Sequence, residues 1–231
     1  MTSSGTRWSV AALVASFTLT ACGHPAPESV QAAPPPATPI TSDSAAIAKA
    51  RADSVRHPYT EADVFFMSGM IHHHAQAIVM AGWAPSHGAS PQVKTLCARI
   101  INSQQDEIAT MQRWLSDRQQ PVPPATATGM TMKMDGMEHE MLMPGMLTED
   151  QMHQLDQARG TEFDRLFLVL MIQHHRGAIT MVNQLFGSYG AGQDETVFKF
   201  ASDVNVDQST EIVRMEQMLA ALPPAPAQRP S

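Results

Sequence analysis

The sequence predicts an all-α protein, an antiparallel four-helix bundle assembled from two repeated helical hairpins. The stretch "MIHHHAQAIVM" at 70–80 returns as "MIQHHRGAITM" at 171–181. Around it Asp63 aligns with Asp164, Phe66 with Phe167, Met70 with Met171, His73 with His174, His74 with His175, Ala77 with Ala178 and Met80 with Met181. A second helical stretch follows each copy and carries Gln-x-x-Glu-Ile-x-x-Met, at Gln104, Glu107, Ile108 and Met111, and at Gln208, Glu211, Ile212 and Met215. Two amphipathic hairpins close naturally on each other as such a bundle.

Arg7, the only charge near the start of the chain, precedes the apolar run "WSVAALVASFTLT" and then "LTAC" ending at Cys22. A basic start, a short apolar stretch and small residues before a cysteine predict a secretory signal over 1–21. The apolar run is too short for a spanning helix. The residues before Cys22 resemble a bacterial lipobox, so Cys22 is the expected lipidation site and mature N-terminus. Residues 22–42 then form a Pro-rich tether, "HPAPESVQAAPPPATPITS" from His24, a composition suited to a semi-rigid spacer and not to a core. The expectation is an exported, membrane-anchored lipoprotein of the bacterial envelope facing the periplasm.

One bundle domain is expected over 43–222. "SDSAAIAKARADSVR" reads as a short helix ending before Pro58. In repeat one, 60–117, Thr60 caps a helix to about Ala84, and Ser90-Pro91 starts another that reaches Asp117. Repeat two covers 148–222. Thr148 and Gln151 form a capping pair for a short helix stopped by Gly160. Longer helices follow over Glu162–Phe186 and from Asp194 to Leu222. Residues 223–231 are expected to be a disordered tail.

Between the repeats, 118–147 reads as a linker. Its Met130–Met146 part holds seven methionines and one histidine: Met130, Met132, Met134, Met137, His139, Met141, Met143 and Met146. With few aliphatic residues, this run is expected to be flexible and dispensable for folding.

The formal charge is −7, and loss of Arg7 with the signal makes it −8. That acidic balance gives no support to nucleic-acid binding. Once Cys22 is lipidated, Cys97 is the single remaining thiol, in the apolar stretch "VKTLCARII", where packing is the expected role.

A helix advances about 100° per residue, so side-chain directions can be estimated. With Met70 as origin, Phe66, Ala77 and Ala81 fall within about 40° and define the buried stripe. His73 lies about 60° to one side and His74 about 40° to the other. His72 points toward solvent, and repeat two has Gln173 there. Glu107 sits at the centre of the face made by Val93, Leu96, Ile100, Met111 and Trp114, and Glu211 at that made by Val197, Phe200, Val204 and Met215. An ionised carboxylate in such a place needs a cation, a proton or a donor. Neutral histidines could satisfy these glutamates in a purely structural network, with methionines filling gaps. The duplicated set favours a metal or acid–base centre over that network.

"FFMSGMIHHHAQAIVMAGWA", "FDRLFLVLMIQHHRGAITM" and the two Gln-x-x-Glu segments resemble the bacterial secreted family called domain of unknown function 305. The resemblance covers nearly all of the chain beyond the tether. It implies a ferritin-like four-helix fold and, for some members, copper binding; it implies no established activity.

The choice of metal has its own chemical basis. Ferritin-like di-iron sites use Glu-x-x-His on two helices, where this chain has Met70-x-x-His73 and Met171-x-x-His174. Thioether in place of carboxylate favours copper, above all Cu(I), over hard ions. The expected metal residues are His73, His74, His174, His175, Met70, Met80, Met171 and Met181. Glu107, Glu211, Met111 and Met215 are supporting or alternative ligands, and the Met130–Met146 run is a flexible collector. Other transition metals stay open. The leading expectation is copper sequestration, tolerance or transfer, with a copper-trafficking protein as partner and no catalytic residue assigned. A ferritin-like redox enzyme and a metal-free structural lipoprotein are the alternatives. Oligomeric state is not legible.

Overall fold

The computed structural model describes residues 59–134 and 136–224, with Lys133 and Met134 described by backbone alone. The signal, Cys22, the tether, the helix expected before Pro58 and most of the tail lie outside these residues. Among the described residues there are five helices and one small hairpin: α1 (Glu61–Gly82), α2 (Pro91–Asp117), β1 (Met130–Met134), β2 (Met137–Met141), α3 (Glu149–Gln157), α4 (Gly160–Gly187) and α5 (Glu195–Ala221). The fold is the expected all-α bundle.

The helix starts follow from their caps. Thr60 and Asp63 form a reciprocal box at α1, Ser90 accepts from Val93 N ahead of Pro91 at α2, and Thr148 pairs with Gln151 at α3. Asp194 caps α5 through Thr196 N and Val197 N, and also takes hydrogen bonds from Trp114 Nε1 at 3.0 Å and Arg118 Nη2 at 2.5 Å. Gly160 departs from expectation. Ala158 ends α3, and Gly160, at φ +58°, opens α4 while its N–H donates to His87 O. The left-handed angle turns the chain between two helices, so the glycine is a start and not a stop.

Helix α1 packs on α2, α4 on α5, and α1 on α4. The apolar core forms two clusters. One joins Phe66 and Met70 of α1 to Met181, Val182 and Leu185 of α4; the other joins Met80 and Ala81 to Phe163, Phe167 and Met171. Early residues of one helix thus meet late residues of the other, which is antiparallel packing about a pseudo-twofold. The histidines fall between the clusters on both helices. Burial of each large apolar side chain stabilises by roughly 1.5–3 kcal/mol, and this carries the helix pairs.

Two aligned aspartates brace the hairpins. Asp63 Oδ1 accepts from Gly192 N in the α4–α5 loop at 2.7 Å, and the Asp164 carboxylate accepts from Ser90 N in the α1–α2 loop at 3.1 and 3.2 Å. Each repeat thereby ties down the turn of the other.

The interhelix linker departs most from expectation. It crosses the α1–α4 face as a strap, with β1 and β2 paired antiparallel from Met130↔Met141 to Met134↔Met137. Met143 and Met146 are buried in the first core cluster, 2% and 5% exposed. The Pro144–Gly145 turn between them sits against Gly177 of α4, and Met143 Sδ lies over Gly69 of α1.

Candidate metal centre

The imidazoles of His73, His74, His174 and His175 are wholly buried. His73 of α1 and His174 of α4 stack at the crossing of the two helices, ring centroids 3.7 Å apart and planes at 37°. His74 and His175 lie one residue on, 6.2 and 6.4 Å from their neighbours.

Three of the four rings are held through Nε2. His74 Nε2 lies 2.5 Å from Glu107 Oε2, His175 Nε2 lies 2.7 Å from Glu211 Oε2, and His73 Nε2 lies 3.1 Å from Pro144 O. A carboxylate or a carbonyl accepts, so each Nε2 carries the proton and donates it. In a neutral imidazole the other nitrogen is then a bare lone pair. The Nδ1 atoms of His73, His74 and His175 are buried without a hydrogen-bond partner, and His174 has neither ring nitrogen satisfied. An orphaned buried polar atom costs about 1–3 kcal/mol, so four such rings are a stability cost that a packing role does not explain.

Burial, followed by the charge of neighbouring imidazoles, holds the pKa values of His73 and His174 well below the ordinary histidine value. Both rings are neutral at physiological pH and available as donors. Among the described residues, no group of three or more His, Cys, Asp or Glu side chains is gathered around one point to hold an ion. The remaining nearby donors are thioethers. Met70 and Met181 share one core cluster and Met80 and Met171 the other, all 0–4% exposed, and Met111 and Met215 belong to these same two clusters. The donor chemistry therefore fits a soft ion.

Glu107 and Glu211 are not at the centre of a closed apolar face. Their side chains are 18% and 26% exposed, because α2 and α5 are not a closely packed pair and leave a cleft at this level. His72 is also corrected. It is buried, with Nδ1 3.3 Å from Thr126 O, because the strap covers the face predicted to meet solvent. Its counterpart Gln173 donates to Gly145 O, and Gln76 exchanges hydrogen bonds with the backbone of Leu147.

The Met-rich run divides in three. Met137, His139 and Met141 are exposed, Met130 and Met132 are partly buried, and Met143 and Met146 are core residues; the side chain of Met134 lies outside those described. Cys97 is buried, its thiol pushed up to about 12 mainly by desolvation, consistent with packing. The strap residues Pro144 and Gly145, their seat Gly177 on α4, and the braces Asp63 and Asp164 were given no role by sequence reasoning. The signal lay in two of the positions where the repeats differ, His72/Gln173 and Gln76/Gly177: all four residues touch the strap or make room for it.

The family model "Domain of unknown function (DUF305)" matches residues 63–219. A DUF305 fragment from Deinococcus radiodurans is 27% identical with a TM-score of 0.59, over 71% of this chain and 99% of that one. A DUF305 protein of Streptomyces coelicolor, described as a candidate secreted protein, is 28% identical with a TM-score of 0.57, over 69% and 92%. CopM in its Cu(I)-bound form is 28% identical with a TM-score of 0.52, over 71% and 97%, and CopM is also solved in Cu(II)-bound and Ag-bound forms. The uncharacterized protein L153 of Acanthamoeba polyphaga mimivirus is 41% identical over 56 residues, 24% of this chain and 37% of the viral protein. No helix among the described residues is long and apolar enough to cross a membrane.

Proposed function

This chain belongs to the DUF305 family, and on that premise we propose that it is a copper-binding protein of the cell envelope that holds or passes on the ion and does not turn over a substrate. The observation that carries the reading is the set of buried, unpartnered Nδ1 atoms on His73, His74 and His175, with His174 without a partner at either nitrogen. Glu107, Glu211 and Pro144 O hold three of the rings through Nε2 and leave Nδ1 unengaged, as outer residues commonly do around bound metals. Met70, Met80, Met171 and Met181 supply thioethers from the flanking clusters. Imidazole with thioether suits Cu(I) above harder ions, and the similarity to CopM, solved with Cu(I), Cu(II) and Ag, supports the same class of cargo.

In this reading the exposed second strand of the Met-rich hairpin, with Met137, His139 and Met141, makes first contact with the ion or with a copper-trafficking protein. Cys22 carries a lipid that holds the chain at the periplasmic side of a membrane. The likeness to a candidate secreted protein supports export.

Anaerobic Cu(I) titration with X-ray absorption tests the core reading. The parent should show nitrogen and sulfur ligands. Replacement of His73, His74, His174 and His175 by Gln should remove the nitrogen scattering and weaken binding at least 100-fold while circular dichroism stays helical. A folded variant that holds Cu(I) as tightly as the parent overturns the assignment.

A further inference from the structure

We infer that the cleft between α2 and α5 is the port through which a hydrated metal cation reaches the buried histidines, an inference that rests on the metal-binding reading above. All four imidazoles are closed to solvent, and the strap lies over the α1–α4 side, where Pro144 O caps His73. The glutamates of the His–Glu pairs are partly exposed, and both line one cavity of about 170 Å³.

The cavity wall carries Glu107, Glu211 and Asp207, with Arg214 as its single cation. Asp106 and Asp203 stand in the adjoining surface hollow, where Lys199 pairs with Asp203. The carboxylates feel one another: burial raises the Asp207 carboxyl first, and the charges of Glu107, Asp203 and Glu211 raise it further, against Lys199. Acidic walls alone would describe only a solvated surface.

The second observation is inside. Gln104 and Gln208, aligned in the two repeats, line the same cavity at 2% and 4% exposure. Gln104 has neither amide atom hydrogen-bonded, and Gln208 Oε1 is also without a partner. Two buried amide oxygens with nothing to accept can replace part of a cation's water shell as it passes inward. His74 and His175 lie directly behind the Glu107 and Glu211 carboxylates, at 2.5 and 2.7 Å. The duplicated Gln-x-x-Glu thus lines the cavity with carboxylate and amide oxygens that back onto two imidazoles.

A port changes rates more than affinity. Stopped-flow uptake of Cu(II), supplied as the aqua ion and followed by tryptophan fluorescence of the full chain, gives the association rate; equilibrium dialysis gives the affinity. Asp106→Asn with Asp207→Asn, which touch neither the histidines nor an ion pair among the described residues, should slow association about five- to tenfold at low salt and weaken affinity by less. The difference should shrink at high ionic strength, since screening shortens the reach of the field. Glu149→Gln with Asp150→Asn, on α3, removes the same charge elsewhere and should leave the rate alone. Equal rates in parent and port variant, or equal slowing by the α3 variant, overturn the port. Failure of the parent to bind Cu(I) as well as Cu(II) instead removes the metal reading itself, a separate result; binding of Cu(I) without any uptake of Cu(II) overturns entry of the hydrated ion.

Discussion

Gly177 of α4 meets Gly145 of the strap backbone to backbone: a Cβ added to Gly177 would lie 2.0 Å from Pro144 O and 2.5 Å from Gly145 Cα. This contact seats the Pro144 carbonyl that holds His73. It couples a turn in the linker to the tautomer of a histidine in the core.

Gly177→Ala should therefore lift the strap. Backbone on both sides leaves no flexible atom to yield, and overpacking of this kind costs about 1–3 kcal/mol. Chemical denaturation should report that loss. Proton NMR of the His73 ring should lose the signature of an Nε2–H bonded to a carbonyl. An unchanged midpoint and unchanged ring resonances would show that the strap does not depend on this contact.

The hairpin and the rest of the strap should separate in a deletion series. Replacing Met130–Met141 with a short Gly-Ser linker removes mostly exposed residues, and thermal melts should stay cooperative within a few degrees of the parent. Extending the cut through Met146 removes two buried methionines, worth about 2–5 kcal/mol each by analogy with truncation of core side chains. That second protein should melt broadly or fail to fold.

The bundle was legible because duplication, caps and apolar stripes agreed, and each rests on local spacing. Thr60, Ser90 and Thr148 cap as their sequences indicate, and His73 and His74 flank the stripe into the core. The strap was not legible, since a Met-rich segment has no helical or strand period strong enough to reveal what it will cover. Helical angles place His72 relative to its own helix but say nothing of a distant segment laid on top. The openness around Glu107 and Glu211 was hidden for the same reason: apolar faces on α2 and α5 do not reveal how closely those helices approach.

The two braces should differ in cost. Asp63 accepts from Gly192 N and Thr60 N, both at 2.7 Å, so Asp63→Ala strands a buried donor and breaks a cap. Asp164 accepts from Ser90 N. Losses of about 3 kcal/mol for Asp63→Ala and about 2 kcal/mol for Asp164→Ala are expected from unpaired buried groups. The sites brace different loops with no shared partner, so the double variant should be additive to about 0.5 kcal/mol. A strongly non-additive result would mean the two loops are coupled through the core.

Metal-free protein should lose stability in mild acid because of His73 and His174. Their folded pKa values are depressed, chiefly by burial, while unfolded histidine titrates near 6.5. Above that pH both states hold the rings neutral, and the pair adds no pH dependence. As pH falls below about 6.5, the unfolded chain binds two protons that the folded chain refuses. Stability should then fall by up to about 2.7 kcal/mol per pH unit from these two groups, until the folded pKa values are reached. Urea titrations at pH 8, 7, 6 and 5 measure the slope. In a folded His73→Gln/His174→Gln protein the slope between pH 6.5 and 5 should flatten relative to the parent, whatever the variant's absolute stability. Equal slopes would mean that the two rings take up protons without unfolding, and that the bundle opens around them.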